Sequence, residues 1–375
     1  LCHDPVLIGT LAYNEFAEEP QVLRAPPPVE PGDEPFAGPY PRQLHQADIV
    51  ALAAYIQRAH LPRIGVQTVE DAALAVAFRS RFHPVRAWLD SLKWDGVKRI
   101  DTWLTAAFGA ADTPYTRAVG AKLLIAAVRR VRQPGSKFDT MPILEGVQGI
   151  GKSRCLRRLF GEEWFTDSMP PDLKSKDGMM AALGVWCVEF AEIEHLIRTD
   201  PETMKAVLSR PVERFRPPYG KGFLRRPRQC VFVGTTNVSD YLRDVTGNRR
   251  IWPIVCQHAD EQWVSANREQ LWAEAARREA SGEIVWLEED ASDEAKRLQA
   301  DRMEDDPWRD PIREYLLGRT RVTTPEILTS ALDMPKAQQN RGAQMRVARV
   351  LVALGWRGAR NEHGRWWEPR KDDIG

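Results

Sequence analysis

The chain has 375 residues, 43% hydrophobic and 28% charged, with a formal net charge of +1. That length supports two or three domains with real cores, and the near-zero balance means that any nucleic-acid surface must be local. No apolar run reaches transmembrane length and no secretory signal opens the chain. The five cysteines (Cys2, Cys155, Cys187, Cys230, Cys256) lie far apart with no metal-ligand spacing, so buried thiols in a reducing, cytoplasmic setting are expected. The first residue is Leu1, so the chain is expected to be a piece of a longer protein with a further domain upstream.

Residues 1–45 read as an extended proline-rich arm with one strand near Leu7–Tyr13. Pro26, Pro27, Pro28, Pro31, Pro35, Pro39 and Pro41 favour an extended linker or a strap laid across another domain, and the apolar Val22, Leu23, Phe36 and Tyr40 favour the strap. Residues 46–135 read as a helical N-terminal domain. Ile49, Val50, Leu52, Ala53 and Ile56 repeat at helical spacing. Further helices are expected from Val69, from Pro84 with Trp88 and Leu89, from Ile100, and from Tyr115 to Val131. Arg129 and Arg130 at the end of the last one suit its dipole.

Residues 136–260 carry the chemistry. Pro142–Leu144 is an apolar strand, Gly146 to Gly151 a glycine-rich turn, and Lys152-Ser153 opens a helix. The spacing fits G-x-x-x-x-G-K-[ST], in which converging backbone N–H groups and a positive helix end cradle phosphates. Gly146, Gln148, Gly149, Ile150, Gly151, Lys152, Ser153 and Arg154 are therefore the expected ATP-binding residues. Lys152 supplies a charge for the outer phosphates and Ser153 a ligand for Mg²⁺.

Gly184–Glu189 is a second apolar strand, with Glu189 at its tip as the expected second Mg²⁺ ligand, the shape of a Walker B strand. Glu192 follows as the candidate for activating water, while Glu194 and His195 read as solvated helix-face residues. Arg210 to Arg228 is the most basic stretch, with Pro217-Pro218-Tyr219-Gly220 as a turn between segments able to pair. Arg214, Arg216, Tyr219 and Lys221 suit a single DNA strand, the ring for stacking and the cations for phosphates. The alternative is a solvated hairpin whose arginines pair with acids on a neighbouring subunit. Gln229–Asn237 is another buried strand, with Asn237 placed to touch the γ-phosphate or its water. Arg249 and Arg250, on a polar turn before Ile251–Val255, are candidates for an arginine finger, in cis or from a neighbour.

Residues 261–304 read as a helical connector. Residues 305–375 give helix, turn, helix and a hairpin around Asn361–Gly364, a winged-helix-like pattern. Arg346 and Arg349 on its longer helix are expected to meet DNA; packing against the ATPase or a partner is the alternative.

Residues from about 75 to 256 resemble the virulence-associated E family of phage and mobile-element proteins and, more distantly, superfamily 3 helicases. The resemblance is carried by His83-Pro84-Val85-Arg86, Leu92–Gly96, Gly146–Ser153, Trp186–Glu192, Arg214–Lys221, Gly234–Asn237 and Gly247–Trp252. It implies an α/β P-loop NTPase core, RecA/AAA+-like, acting on DNA in replication of a mobile element. It also implies a homo-oligomer, a hexameric ring among the options, with a primase domain or primase partner upstream. By analogy Asn237 is sensor 1, and Arg249 or Arg250 acts across a ring interface. One departure stands out: Glu189 is followed by Phe190 rather than by a second acid, leaving Glu192 or another group as the base. The expected activity is that of a Mg²⁺-dependent ATPase and helicase-like motor. The competing readings are a nucleotide-gated switch in a regulatory or defence complex, and a DNA-binding initiator with a weak ATPase.

Overall fold

A computed structural model describes residues 3–28, 30, 39–170, 172–173, 175–199, 201–215, 224–242, 248–302, 307–361 and 364–369. Four short strands, β1 (Leu11–Asn14), β2 (Glu19–Val22), β3 (Arg42–Gln43) and β4 (Arg81–Phe82), form a sheet of order β3-β2-β1-β4. Between β3 and β4 run α1 (Gln46–Ala59) and α2 (Val66–Arg79). Their apolar stripes, Ile49, Leu52, Ile56, Val69, Ala73 and Ala77, bury against Leu11 and Val22. The β1–β2 turn is pinned elsewhere: Phe16 is 2% exposed within the largest core, and Gly184 N–H donates to its carbonyl at 3.1 Å.

The next helices, α3 (Pro84–Ser91), α4 (Trp103–Phe108) and α5 (Pro114–Arg132), turn their apolar faces to that same large core. Residues 46–135 are thus shared between two cores. α5 is buried along most of its length because it lies between the central sheet and later helices. Arg130 does more than offset a helix dipole. It is 1% exposed, and its guanidinium donates to the carbonyls of Cys230 at 2.6 Å and Phe138 at 2.7 Å. Burial pushes its pKa down to about 10.

The central sheet is parallel. β5 (Met141–Glu145) leads into α6 (Lys152–Phe160), then β6 (Phe165–Thr166), α7 (Lys176–Met180) and β7 (Cys187–Phe190). α8 (Ile193–Thr199), α9 (Pro201–Ser209) and the antiparallel hairpin β8 (Val212–Phe215) with β9 (Leu224–Pro227) precede β10 (Val231–Thr236) and β11 (Ile251–Val255). The strand order is β11-β5-β10-β7-β6. Buried on both faces, the strands read as continuous apolar runs. Their residues nonetheless alternate between two cores: Leu144, Cys187, Val231 and Val233 meet α5, α6 and α10, while Ile143, Val188, Phe190 and Phe232 meet α8 and α9. α10 (Glu261–Ala280) and α11 (Glu289–Asp301) close the first face. There Trp186 lies 4.0 Å from Trp272 between ring centroids and donates to the Ala127 carbonyl at 2.9 Å. Each such fully buried large side chain contributes about 1.5–3 kcal/mol.

The C-terminal residues have a core of their own. It comprises α12 (Arg309–Leu316), α13 (Thr324–Glu326) running into a π-turn at Ile327–Ala331, and α14 (Arg341–Ala353). The hairpin β12 (Trp356–Asn361) and β13 (Gly364–Pro369) completes it. A bridge between Val322 and Trp367 fastens the segment before α13 to the hairpin. No helix among the described residues is long and apolar enough to cross a membrane.

Candidate active site

The site forms at the C-terminal edge of the central sheet, where β5 ends and the chain turns into α6. Gly149 and Gly151 have φ of 84° and 104°, values that a side chain disfavours. Gly146 is required for another reason: a Cβ there would lie 2.6 Å from the Cys256 carbonyl oxygen as β11 passes. Lys152 is 8% exposed, and its ammonium donates to the carbonyls of Gly146 at 2.7 Å and Val147 at 3.1 Å. Burial lowers its pKa below the ordinary lysine value. Gln148 is exposed and Ile150 packs on the large core. The Arg154 side chain, 70% exposed, lies 3.8 Å from Glu261.

Beneath this loop sits one carboxylate. Glu189, 1% exposed at the end of β7, accepts at Oε1 from the hydroxyls of Ser153 and Thr235, each at 2.6 Å. The three meet because alternation puts Glu189 and Thr235 on the sheet face that α6 covers. Oε2 of Glu189 is buried without a hydrogen-bond partner. Burial raises the pKa of this carboxyl, and the two hydroxyls oppose the shift. A hard hydroxyl, a carboxylate and an orphaned oxygen fit Mg²⁺, which takes one or two protein oxygens and completes its shell with water and phosphate. Among the described residues no group of three or more His, Cys, Asp or Glu could hold a metal.

The other face of the sheet holds a second acid. Glu194 is 6% exposed rather than solvated, and accepts from Thr236 at 2.7 Å. Phe190, where a second acid would have stood, points to this face and stacks on Phe232 with centroids 5.5 Å apart. Glu192 is exposed in the turn between β7 and α8, with φ of 49°, unusual for a residue with a side chain. Asn237 is exposed just past the end of β10.

The model of the virulence-associated protein E-like domain matches residues 89–304, more than half of the chain. The chain belongs to that family. No curated protein matches. Similar solved structures include two apo forms of the C-terminal region of NrS-1, residues 305–718. One has a TM-score of 0.47 at 10% identity and the other 0.45 at 11%, each covering 96% of this chain and 95% of that one. A variant of RuvB from Thermotoga maritima has a TM-score of 0.25 at 16% identity, covering 68% of this chain and 92% of that one.

Within this virulence-associated E-like core, Arg249 and Arg250 stand apart from the phosphate loop. They precede Ile251, which pairs in register with Met141 at the start of β5, so they occupy the opposite edge of the sheet. Arg249 is exposed, and Arg250 lies 3.5 Å from Asp139. The expected hairpin does pair, Arg214 opposite Arg225, and its stem enters β10 at that same far edge. Its tip residues Arg216, Tyr219 and Lys221 lie outside the described residues. Several stem arginines have acids within the chain: Arg210 and Arg228 pair with Glu213, and Arg226 pairs with Glu18. Arg346 stacks over the Trp308 ring at 4.1 Å, and the side chain of Arg349 lies outside the described residues.

The sequence reading missed Thr235. Its signal was a pair of small polar residues ending an otherwise apolar strand.

Proposed function

We propose that the chain is a Mg²⁺-dependent ATPase working as a helicase- or translocase-like motor on DNA in replication of a phage or mobile element. The observation that carries this reading is the Ser153–Glu189–Thr235 cluster, with its orphaned oxygen, directly beneath a glycine-rich loop. In this reading the loop N–H groups and Lys152 bind the phosphates, Lys152 giving up its two loop carbonyls to do so. Ser153 and Glu189 hold Mg²⁺, which supplies charge neutralisation at the phosphates. Glu192 and Asn237 orient water at the site. Arg249 and Arg250, on the far sheet edge of their own subunit, serve the site of the next subunit in a homo-oligomer, a hexameric ring being the simplest closed form. The exposed Arg225 and the hairpin tip contact single-stranded DNA, and the winged-helix-like residues 305–375 add a second DNA surface. An upstream primase domain or partner and a cytoplasmic setting belong to the same proposal.

Measuring ATP turnover with and without single-stranded DNA tests it. Turnover is expected to rise with the strand and to fall about a hundredfold or more in Lys152→Ala. Wild-type turnover in Lys152→Ala refutes it. A nucleotide-gated switch is favoured by one observation, the packing of Phe190 where a second acid would stand. It calls for slow turnover that DNA does not change.

A further inference from the structure

On the sheet face away from Glu189 stands a buried acid that the roles assigned above leave out. Glu194 lies in the first turn of α8 and is 6% exposed, and its Oε2 accepts from the Thr236 hydroxyl at 2.7 Å. The Thr236 oxygen in turn accepts from Val238 N–H at 3.2 Å, which leaves the hydroxyl proton for Glu194. Among the described residues Oε1 of Glu194 takes no hydrogen bond.

Strand register gives this position its meaning. Glu189 pairs with Val233 of β10, yet its carboxylate bonds Thr235, two residues further along the same face. By the same reach an acid at position 190, which pairs with Gly234, would set its carboxylate beside Thr236. Phe190 occupies that position, and the carboxylate beside Thr236 comes from Glu194 instead. Thr236 pairs with Glu145, the last residue before the phosphate loop, and its carbonyl accepts from Gly146 N–H at 3.1 Å. Gly234 lets α8 come this close: a Cβ there would lie 3.3 Å from Cγ2 of Ile193.

Glu145 is another acid on this face, but its lone pairs are committed. The Arg302 guanidinium grips both of its oxygens, through Nε to Oε1 and through Nη2 to Oε2 at 2.6 Å. The Tyr241 hydroxyl donates to Oε1 as well, at 2.6 Å. A general base needs a free lone pair for the proton it takes. Glu194 has one.

Resting on the nucleotide reading above, we infer that Glu194 is the general base of ATP hydrolysis, standing in for the acid that the strand tip lacks at Phe190. Water oriented by Glu192 and Asn237 attacks the γ-phosphorus, the bond from that phosphorus to the β–γ bridging oxygen breaks, and ADP departs. One proton of the water passes to Oε1 of Glu194, and the other stays with the phosphate. Thr236 holds Oε2 and fixes the direction of the carboxylate.

ATP turnover, and binding of a fluorescent non-hydrolysable ATP analogue, are measured with Mg²⁺ on full-chain Glu194→Gln, Glu194→Asp and Glu192→Gln. Thermal melts confirm which variants are folded. Glu194→Gln keeps the size and an acceptor for Thr236 but cannot take the proton. Its turnover is expected to fall about a hundredfold or more, with analogue binding within about threefold of wild type. Glu194→Asp keeps the charge and draws the carboxylate back by one methylene, so turnover is expected to fall at least about tenfold. Glu192→Gln is expected to lose less than Glu194→Gln. Wild-type turnover in either folded Glu194 variant overturns the assignment, as does lost analogue binding in a folded Glu194→Gln protein. A larger loss in Glu192→Gln than in Glu194→Gln places the base at Glu192 and overturns it too. A wild type that binds no analogue refutes the nucleotide reading itself, whatever the Glu194 variants do.

Discussion

The two edges of the central sheet treat charge in opposite ways. At the C-terminal edge Lys152 and Glu189 are buried, satisfied by carbonyls and hydroxyls, and one carboxylate oxygen is left without a partner. At the N-terminal edge, where the sequence is most basic, many arginines already have acids: Arg210 and Arg228 share Glu213, Arg226 holds Glu18, and Arg250 lies near Asp139. Positive charge written densely in a sequence is therefore a poor guide to positive charge offered to a ligand. A sparse, desolvated pair with unmet bonding capacity says more about chemistry.

The sharpest way to break the comparison is to separate the edges between subunits. A variant carrying Arg249→Ala and Arg250→Ala is expected to lose about a hundredfold or more in ATP turnover. Mixed with Lys152→Ala protein, it should regain part of that turnover, since some interfaces then pair an intact loop with intact arginines. Mixtures no more active than the sum of their parts would place both functions in one subunit or in neither.

A smaller effect distinguishes arginines within the hairpin stem. Arg225 is exposed on β9, so Arg225→Ala should weaken single-stranded DNA binding by about three- to tenfold and reduce the salt dependence by about one ion. Arg226 is engaged with Glu18, so Arg226→Ala should instead lower the melting temperature by about 2–4 °C with little change in affinity. Equal effects of the two on DNA binding would erase the distinction.

The smallest expected effect is a slope. The Glu189 pKa is raised in the folded state above the ordinary value of 4.5. The folded protein therefore holds this proton more tightly than the unfolded chain. The resulting stability is fully present below the unfolded value and is lost as pH rises through the folded one. Without Mg²⁺ or nucleotide, the melting temperature of Glu189→Gln should depend less on pH than that of the wild type, measured between about pH 5 and pH 7.5. Adding Mg²⁺ should reduce the same difference. Parallel curves would remove Glu189 from the buried position assigned to it.

The phosphate loop and the strand ending at Glu189 were legible because their signals are local: an apolar run, fixed glycines, and an acid at the tip. The helices from Pro84 to Arg132 were legible by their period. The small N-terminal sheet was not, because strands of two to four residues carry little pattern, and β1 finds its parallel partner β4 only at Arg81–Phe82. Glu194 was misread as solvated because nothing nearby reveals that α8 folds it back onto Thr236. Glu145 and Arg302 stand 157 positions apart, and only the closed fold brings them together. Phe190 is the instructive case. Its departure from the expected acid was plain in the sequence, and its reason, a stack on Phe232, needed the sheet.

The most direct measurement on the central claim uses Glu189→Gln, which keeps the shape of the side chain and the acceptor for Ser153 and Thr235 while removing the charge. ATP affinity and turnover should be measured on the same preparation with Mg²⁺ present. Affinity is expected to stay within about threefold of the wild type and turnover to fall about a hundredfold. Turnover at the wild-type rate would contradict the assignment of this buried carboxylate to the hydrolytic site.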